Sequence, residues 1–113
     1  MKHYYVGIDP SITNTGCVVL DSTGKILIAC NTKDKVDFSA KQKKKPMFEY
    51  TRLLQVFNSI YTELVILDGC LHIAYENYSY NSINKAYTTG ELGGVLKANI
   101  AQYLNPKSFM LVE

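Results

Sequence analysis

Apolar, β-branched residues gather first in two short runs, Tyr4-Tyr5-Val6-Gly7-Ile8 and Cys17-Val18-Val19-Leu20, divided by the polar turn Pro10-Ser11-Ile12-Thr13-Asn14-Thr15-Gly16. Runs of this length bounded by Pro, Asn and Gly predict two strands. Asp21-Ser22-Thr23-Gly24 has hairpin-turn chemistry, so Lys25-Ile26-Leu27-Ile28-Ala29-Cys30 is predicted as a third strand, antiparallel to the second.

The spacing then changes. Pro46 suits the first turn of a helix, and Tyr50, Leu53, Leu54, Phe57, Ile60, Tyr61 and Leu64 recur at three- and four-residue intervals, predicting one helix face that runs to Leu67 before Asp68-Gly69. Cys70 to Tyr75 is too short and too continuously apolar for a further amphipathic helix and reads as a buried central strand. A tyrosine- and asparagine-rich loop over 75–84 leads to a second helix, with Ser82 as N-cap and Ile83, Ala86, Tyr87, Gly90, Gly94, Leu96, Ile100, Ala101 and Leu104 on its inner side. Gly90, Gly93 and Gly94 each cost that helix roughly 1 kcal/mol relative to alanine, which is tolerated where another group must approach closely. Asn105-Pro106-Lys107 stops it, and Ser108 to Val112 is a last strand.

The order βββαβαβ predicts an α/β fold: a mixed sheet with strands one, four and five parallel, the hairpin extending one edge, and helices packed on the sheet. Ligands of such sheets collect at the carboxyl ends of the parallel strands. Asp9, Glu76 and Glu113 fall at those ends. Like charges brought close destabilise one another unless a cation sits between them, so acids on one rim point to a cation site.

Composition narrows the class. The 113 residues are 47% hydrophobic and 19% charged, which fits one globular domain and excludes a disordered or collagen-like chain. No run approaches the roughly 18 apolar residues of a membrane span, and Met1-Lys2-His3-Tyr4 enters a strand without a signal-peptide core, so the expected location is the cytoplasm, away from membranes. Cys17, Cys30 and Cys70 form no C-x-x-C pair and lie in apolar runs, as buried reduced thiols do. Within the net charge of +2, residues 33–45 carry Lys33, Lys35, Lys41, Lys43, Lys44 and Lys45 against Asp34 and Asp37, a local +4 beside a body of −2. That pattern suits either a solvated loop or contact with a polyanion.

Gly7-Ile8-Asp9-Pro10-Ser11-Ile12-Thr13-Asn14-Thr15-Gly16 resembles the opening motif of RuvC-like Holliday-junction resolvases of the RNase H-like superfamily, whose first strand ends G-[IVL]-D-P-G and returns through T-G. Ala74-Tyr75-Glu76-Asn77 is similar to that family's fourth-strand signature, and Gly90-Glu91-Leu92-Gly93-Gly94 to its G-Q-x-x-G. The resemblance spans nearly the whole chain and implies an RNase H-like fold with Asp9 and Glu76 as catalytic metal ligands. It implies two Mg²⁺ ions, replaceable by Mn²⁺, and no nucleotide cofactor. Carboxylates suit these hard cations, which activate water and relieve charge in phosphodiester hydrolysis.

The same resemblance implies a homodimer that nicks a four-way DNA junction symmetrically. Tyr78 or Tyr80 would stack on unpaired bases, Tyr75 and Tyr87 would pack in the core, and Ser11, Lys43, Lys44, Lys45 and Lys85 would meet the DNA. Three departures stand out. Ser11 replaces a glycine and requires a negative φ. Gly93 stands where a basic residue is frequent. The family takes one or two more aspartates from a helix after strand five, so residues 1–113 read as one domain shortened at its C-terminus, able to fold but cutting poorly, with Glu113 a distant substitute ligand. A noncatalytic nucleic-acid-binding or dimerisation fragment is the alternative. An actin-like ATPase fragment shares the opening G-I-D strand but requires a second phosphate loop and a larger body.

Overall fold

The computed structural model describes the chain apart from residues 12, 34, 36–38, 40, 42, 43, 77–85 and 113, and apart from the side chains of 48, 49 and 86–90. Strands β1 (His3–Asp9), β2 (Gly16–Leu20) and β3 (Ile26–Asn31) are followed by helix α1 (Phe48–Leu64), strand β4 (Cys70–Glu76), helix α2 (Ala86–Asn99), a π-helical turn (Ile100–Leu104) and strand β5 (Ser108–Val112). The five strands form one sheet in the order β3-β2-β1-β4-β5, with β1–β2 and β2–β3 antiparallel and β1–β4 and β4–β5 parallel. This is the mixed α/β sheet the sequence predicts, with RNase H-like strand order and direction.

Alternation decides which residues face where. Tyr4, Val6 and Ile8 of β1, Cys17 and Val19 of β2, and Leu71, Ile73 and Tyr75 of β4 are buried in one core with Leu53, Val56, Phe57, Ile60 and Leu64 of α1 and Leu92 and Leu96 of α2. Both helices therefore cover the same face. The residues between them along the strands look the other way, and Tyr5, Val18, Met110 and Val112 on that second face are exposed.

Several boundaries differ from the sequence reading. Helix α1 ends at Leu64, three residues early, where the Val65 cap bonds back to the Tyr61 carbonyl. Tyr50 and Leu54, expected on its inner face, are exposed, because Leu53, Val56, Phe57, Ile60 and Leu64 fill the contact stripe. Pro46 stands before the N-cap, Met47, rather than in the first turn. The last predicted turn of the second helix is π-helical and ends at Asn105 in the left-handed region, φ 44°. The expected N-cap Ser82 lies outside the described residues.

Gly69 enters β4 where no other residue fits, because a Cβ there would run into the Lys2 carbonyl and the Tyr4 ring. Cys17 is buried and Cys30 and Cys70 half-buried, all three free. Burial pushes the Cys17 thiol up to about 12, so at neutral pH it acts as a small apolar residue. Tyr75 is in the core, as expected, and sits against Gly93, whose added Cβ would stand 3.7 Å from the tyrosine oxygen. No helix among the described residues is long and apolar enough to cross a membrane.

Candidate active site

The parallel register of β1 and β4 runs from His3–Cys70 through Ile8–Tyr75, so Asp9 and Glu76 are the next residues along each strand, at the carboxyl ends. Ile8 and Tyr75 point into the core; Asp9 and Glu76, one step on, are exposed on the opposite face. Two acids 67 positions apart are thereby brought side by side. Asp9 raises the Glu76 pKa above the ordinary glutamate value, first through a shared hydrogen bond between the carboxyls and second through its charge, with a smaller contribution from desolvation. The two carboxyl groups are thus neighbours on the open face of the sheet.

They line an open cavity of about 620 Å³ with Gly16, Val18, Ala29, Asn31 and Ala74. The row through the acids is continued by Gly16, the register partner of Asp9, and by Asn31, the partner of Gly16. Asn31 was not singled out from the sequence. Its place at the end of a strand that pairs with the Asp9 hairpin was the available signal.

The loop after Asp9 is held by two buried threonines. The Ser11 N–H donates to the Thr15 hydroxyl at 2.9 Å and that hydroxyl donates to the Ser11 carbonyl, while the Thr15 N–H donates to the Thr32 hydroxyl at 2.9 Å. The Thr32 N–H returns a bond to the Thr15 carbonyl at 3.0 Å. Thr15 and Thr32 are 0% and 1% exposed, and the bond between the Thr15 N–H and the Thr32 hydroxyl is buried, where leaving a partner out costs most. The end of β3 therefore braces the segment that presents Asp9. Ser11 has a negative φ, as its substitution for glycine requires, since the positive-φ non-glycine residues described are Met47 and Asn105.

The other predicted site residues are placed less closely. Lys44 and Lys45 are exposed ahead of α1. Lys43, Tyr78, Tyr80, Lys85 and Glu113 lie outside the described residues, as does the Tyr87 side chain. Among the described residues no group of three or more His, Cys, Asp and Glu side chains gathers around one point. Mg²⁺ fits what is described: a pair of exposed hard-oxygen donors pressed together strongly enough to raise one pKa, a repulsion that a divalent cation between them removes.

No protein-family model and no curated protein matches this sequence. Among solved structures, the chain is similar to a foamy viral protease-reverse transcriptase in complex with double-stranded DNA, at 10% identity over 98% of this chain and 19% of that chain, with a TM-score of 0.46. It is also similar to a member of the Ppx/GppA protein family from Aquifex aeolicus, at 10% identity over 99% of this chain and 35% of that one, with a TM-score of 0.43. The chain spans well under two thirds of either molecule. Likenesses at this level carry no assignment of activity, and the fold rests on the strand order and directions themselves.

Proposed function

We propose that this protein is a metal-dependent, structure-specific endodeoxyribonuclease of the RuvC-like resolvase type, acting on branched DNA. The observation that carries the reading is the placement of Asp9 and Glu76 together at the carboxyl ends of neighbouring parallel strands, above an open cavity. Sequence order supports it: the acids stand in the G-I-D-P and strand-four segments that resemble the motifs of those resolvases.

Asp9 and Glu76 would hold Mg²⁺ or Mn²⁺, which supplies an activated water and neutralises charge on the phosphate being cleaved. The chain's own part is positional. The Thr15–Thr32 brace fixes the loop that carries Asp9, and the register fixes Glu76 beside it, so that both carboxylates line the same open cavity. Lys44 and Lys45, with Lys43, supply cations for phosphates away from the cut, and Tyr78 or Tyr80 the stacking surface for unpaired bases. A homodimer would bring two such sites to the two strands of a junction.

The test is Mg²⁺- or Mn²⁺-dependent nicking of a four-way junction by the wild type against Asp9→Asn. Paired nicks that disappear in Asp9→Asn support the reading. Junction binding without nicking under either ion replaces it with the noncatalytic binding module.

A further inference from the structure

The open face of the sheet carries a second polar cluster, four residues along β4 from Glu76 and hence about 13 Å away at 3.3 Å per residue. His3 Nδ1 and His72 Nε2 are 2.9 Å apart, and His72 Nδ1 is 2.8 Å from the Ser108 hydroxyl oxygen. Tyr5 stacks on His72, with ring centroids 5.0 Å apart and an interplanar angle of 18°. Three strands build this arrangement, since His72 is the register partner of both Tyr5 and Ser108 and His3 precedes Tyr5 by one full side-chain repeat.

From this geometry we infer that His3 and His72 form a two-histidine binding site for a late first-row divalent transition ion, separate from the carboxylate pair. Two imidazole nitrogens meet here at one point, bridged by a proton. The lone pairs that share that proton can instead share a metal. Tetrahedral Zn²⁺ with Zn–N bonds of about 2.0–2.1 Å places two nitrogens about 3.3 Å apart, so the nitrogens part by about 0.4 Å while each ring turns by about 35° to aim its lone pair at the ion.

Ser108 already has the place of the outer partner that metal-binding histidines use. With the ion on Nε2, His72 carries its proton on Nδ1 and donates it to the Ser108 oxygen, while the Tyr5 ring fixes the plane of the imidazole. His3 then carries its proton on Nε2, leaving Nδ1 to the ion. Imidazole donors select zinc-like ions over Mg²⁺, the reverse of the Asp9–Glu76 preference. Among the described residues no third His, Cys, Asp or Glu joins the pair, and water completes the coordination. The nearby Cys70 thiol is turned to the Met1 sulfur, 3.1 Å away.

Isothermal titration of the full chain with Zn²⁺ in Mg²⁺-free buffer tests the site, with circular dichroism to confirm folding of each variant. The wild type is expected to take up one ion at this site, His72→Ala to lose at least tenfold in affinity, and Ser108→Ala to lose about tenfold, as outer-partner changes do. Cys70→Ser should bind as the wild type does, and the His72→Ala loss should persist in the Asp9→Asn background, which removes the carboxylate pair's own contribution. Equal affinity in the wild type and His72→Ala would overturn the site, and so would Zn²⁺ binding that depends on Cys70. Binding lost in His3→Ala but kept in His72→Ala would place the ion on the chain's amino end and also overturn it. None of these outcomes depends on DNA cleavage.

Discussion

Glu76 titrates above an ordinary glutamate because Asp9 stands beside it, one step beyond the last core-facing pair of two parallel strands, Ile8 and Tyr75. The sign follows from the direction of the shift. A carboxyl whose folded pKa is raised contributes stability at pH below its unfolded value, and that contribution is lost as pH rises through the folded value. At neutral pH without a cation, the pair opposes folding. Asp9→Asn should therefore raise the thermal midpoint in EDTA at pH 7 and shrink the gain in midpoint that Mg²⁺ or Mn²⁺ gives the wild type. Differential scanning calorimetry with and without the ions reads both. A lower midpoint for Asp9→Asn in EDTA would mean that Asp9 is held chiefly as a turn residue.

Cleavage and binding should separate at Glu76. Glu76→Gln removes a negative charge that faces DNA phosphates while keeping the shape of the side chain, so nicking of a four-way junction should fall by at least a hundredfold and junction affinity should stay level or tighten. Gel-shift and nicking assays on the same preparation check this. Equal loss of both would show that Glu76 holds the fold instead of serving the chemistry.

The lysines ahead of α1 should act without regard to DNA shape. Replacing Lys43, Lys44 and Lys45 by alanine is expected to weaken binding to duplex and branched DNA alike, and to reduce the slope of log K against log salt by about three if all three reach phosphates, since each contact contributes about 0.9. A loss confined to branched DNA would assign them to junction recognition.

At the far end of the sheet the linkage has the opposite sign. The Tyr4 hydroxyl donates to Asp68 at 2.8 Å and Lys2 lies 3.7 Å from the same oxygen, and the hydrogen bond, followed by the Lys2 charge, holds Asp68 below the ordinary aspartate value. This contribution is present above the unfolded aspartate pKa of about 3.9 and is lost as pH falls through the lower folded value. Asp68→Asn should therefore flatten the acid limb of the stability profile below pH 4 or so while sparing the Mg²⁺ response. Beside it, Gly69→Ala should destabilise by roughly 1–3 kcal/mol, because the new methyl meets the Lys2 backbone, which cannot swing aside. Urea unfolding measures that cost.

Much of this architecture was legible before any coordinates. The apolar, β-branched runs of 4–8 and 17–20, the turn at Asp21-Ser22-Thr23-Gly24 and the three- and four-residue spacing of α1 each follow from local pattern, and their order leaves few sheets to choose from. The Asp9–Glu76 meeting was legible from the same order: each acid ends a strand predicted to run parallel to the other, so both fall at one carboxyl rim. What depends on register was not legible. Thr15 finds Thr32, and His3 finds His72, only once Gly16 is opposite Asn31 and His3 opposite Cys70, and no local pattern states those pairings. The outward turn of Tyr50 and Leu54 was hidden for a related cause, since an apolar residue shows only that it can be buried; the neighbouring helix and sheet decide whether it is.

The central claim is that Asp9 and Glu76 grip one divalent cation between them. Titrating Mn²⁺ into the wild type, Asp9→Asn and Glu76→Gln, and reading free Mn²⁺ by electron paramagnetic resonance, addresses it without DNA. The account predicts uptake by the wild type that each single substitution weakens at least tenfold and that His72→Ala leaves unchanged. Equal uptake by all three carboxylate forms would contradict it.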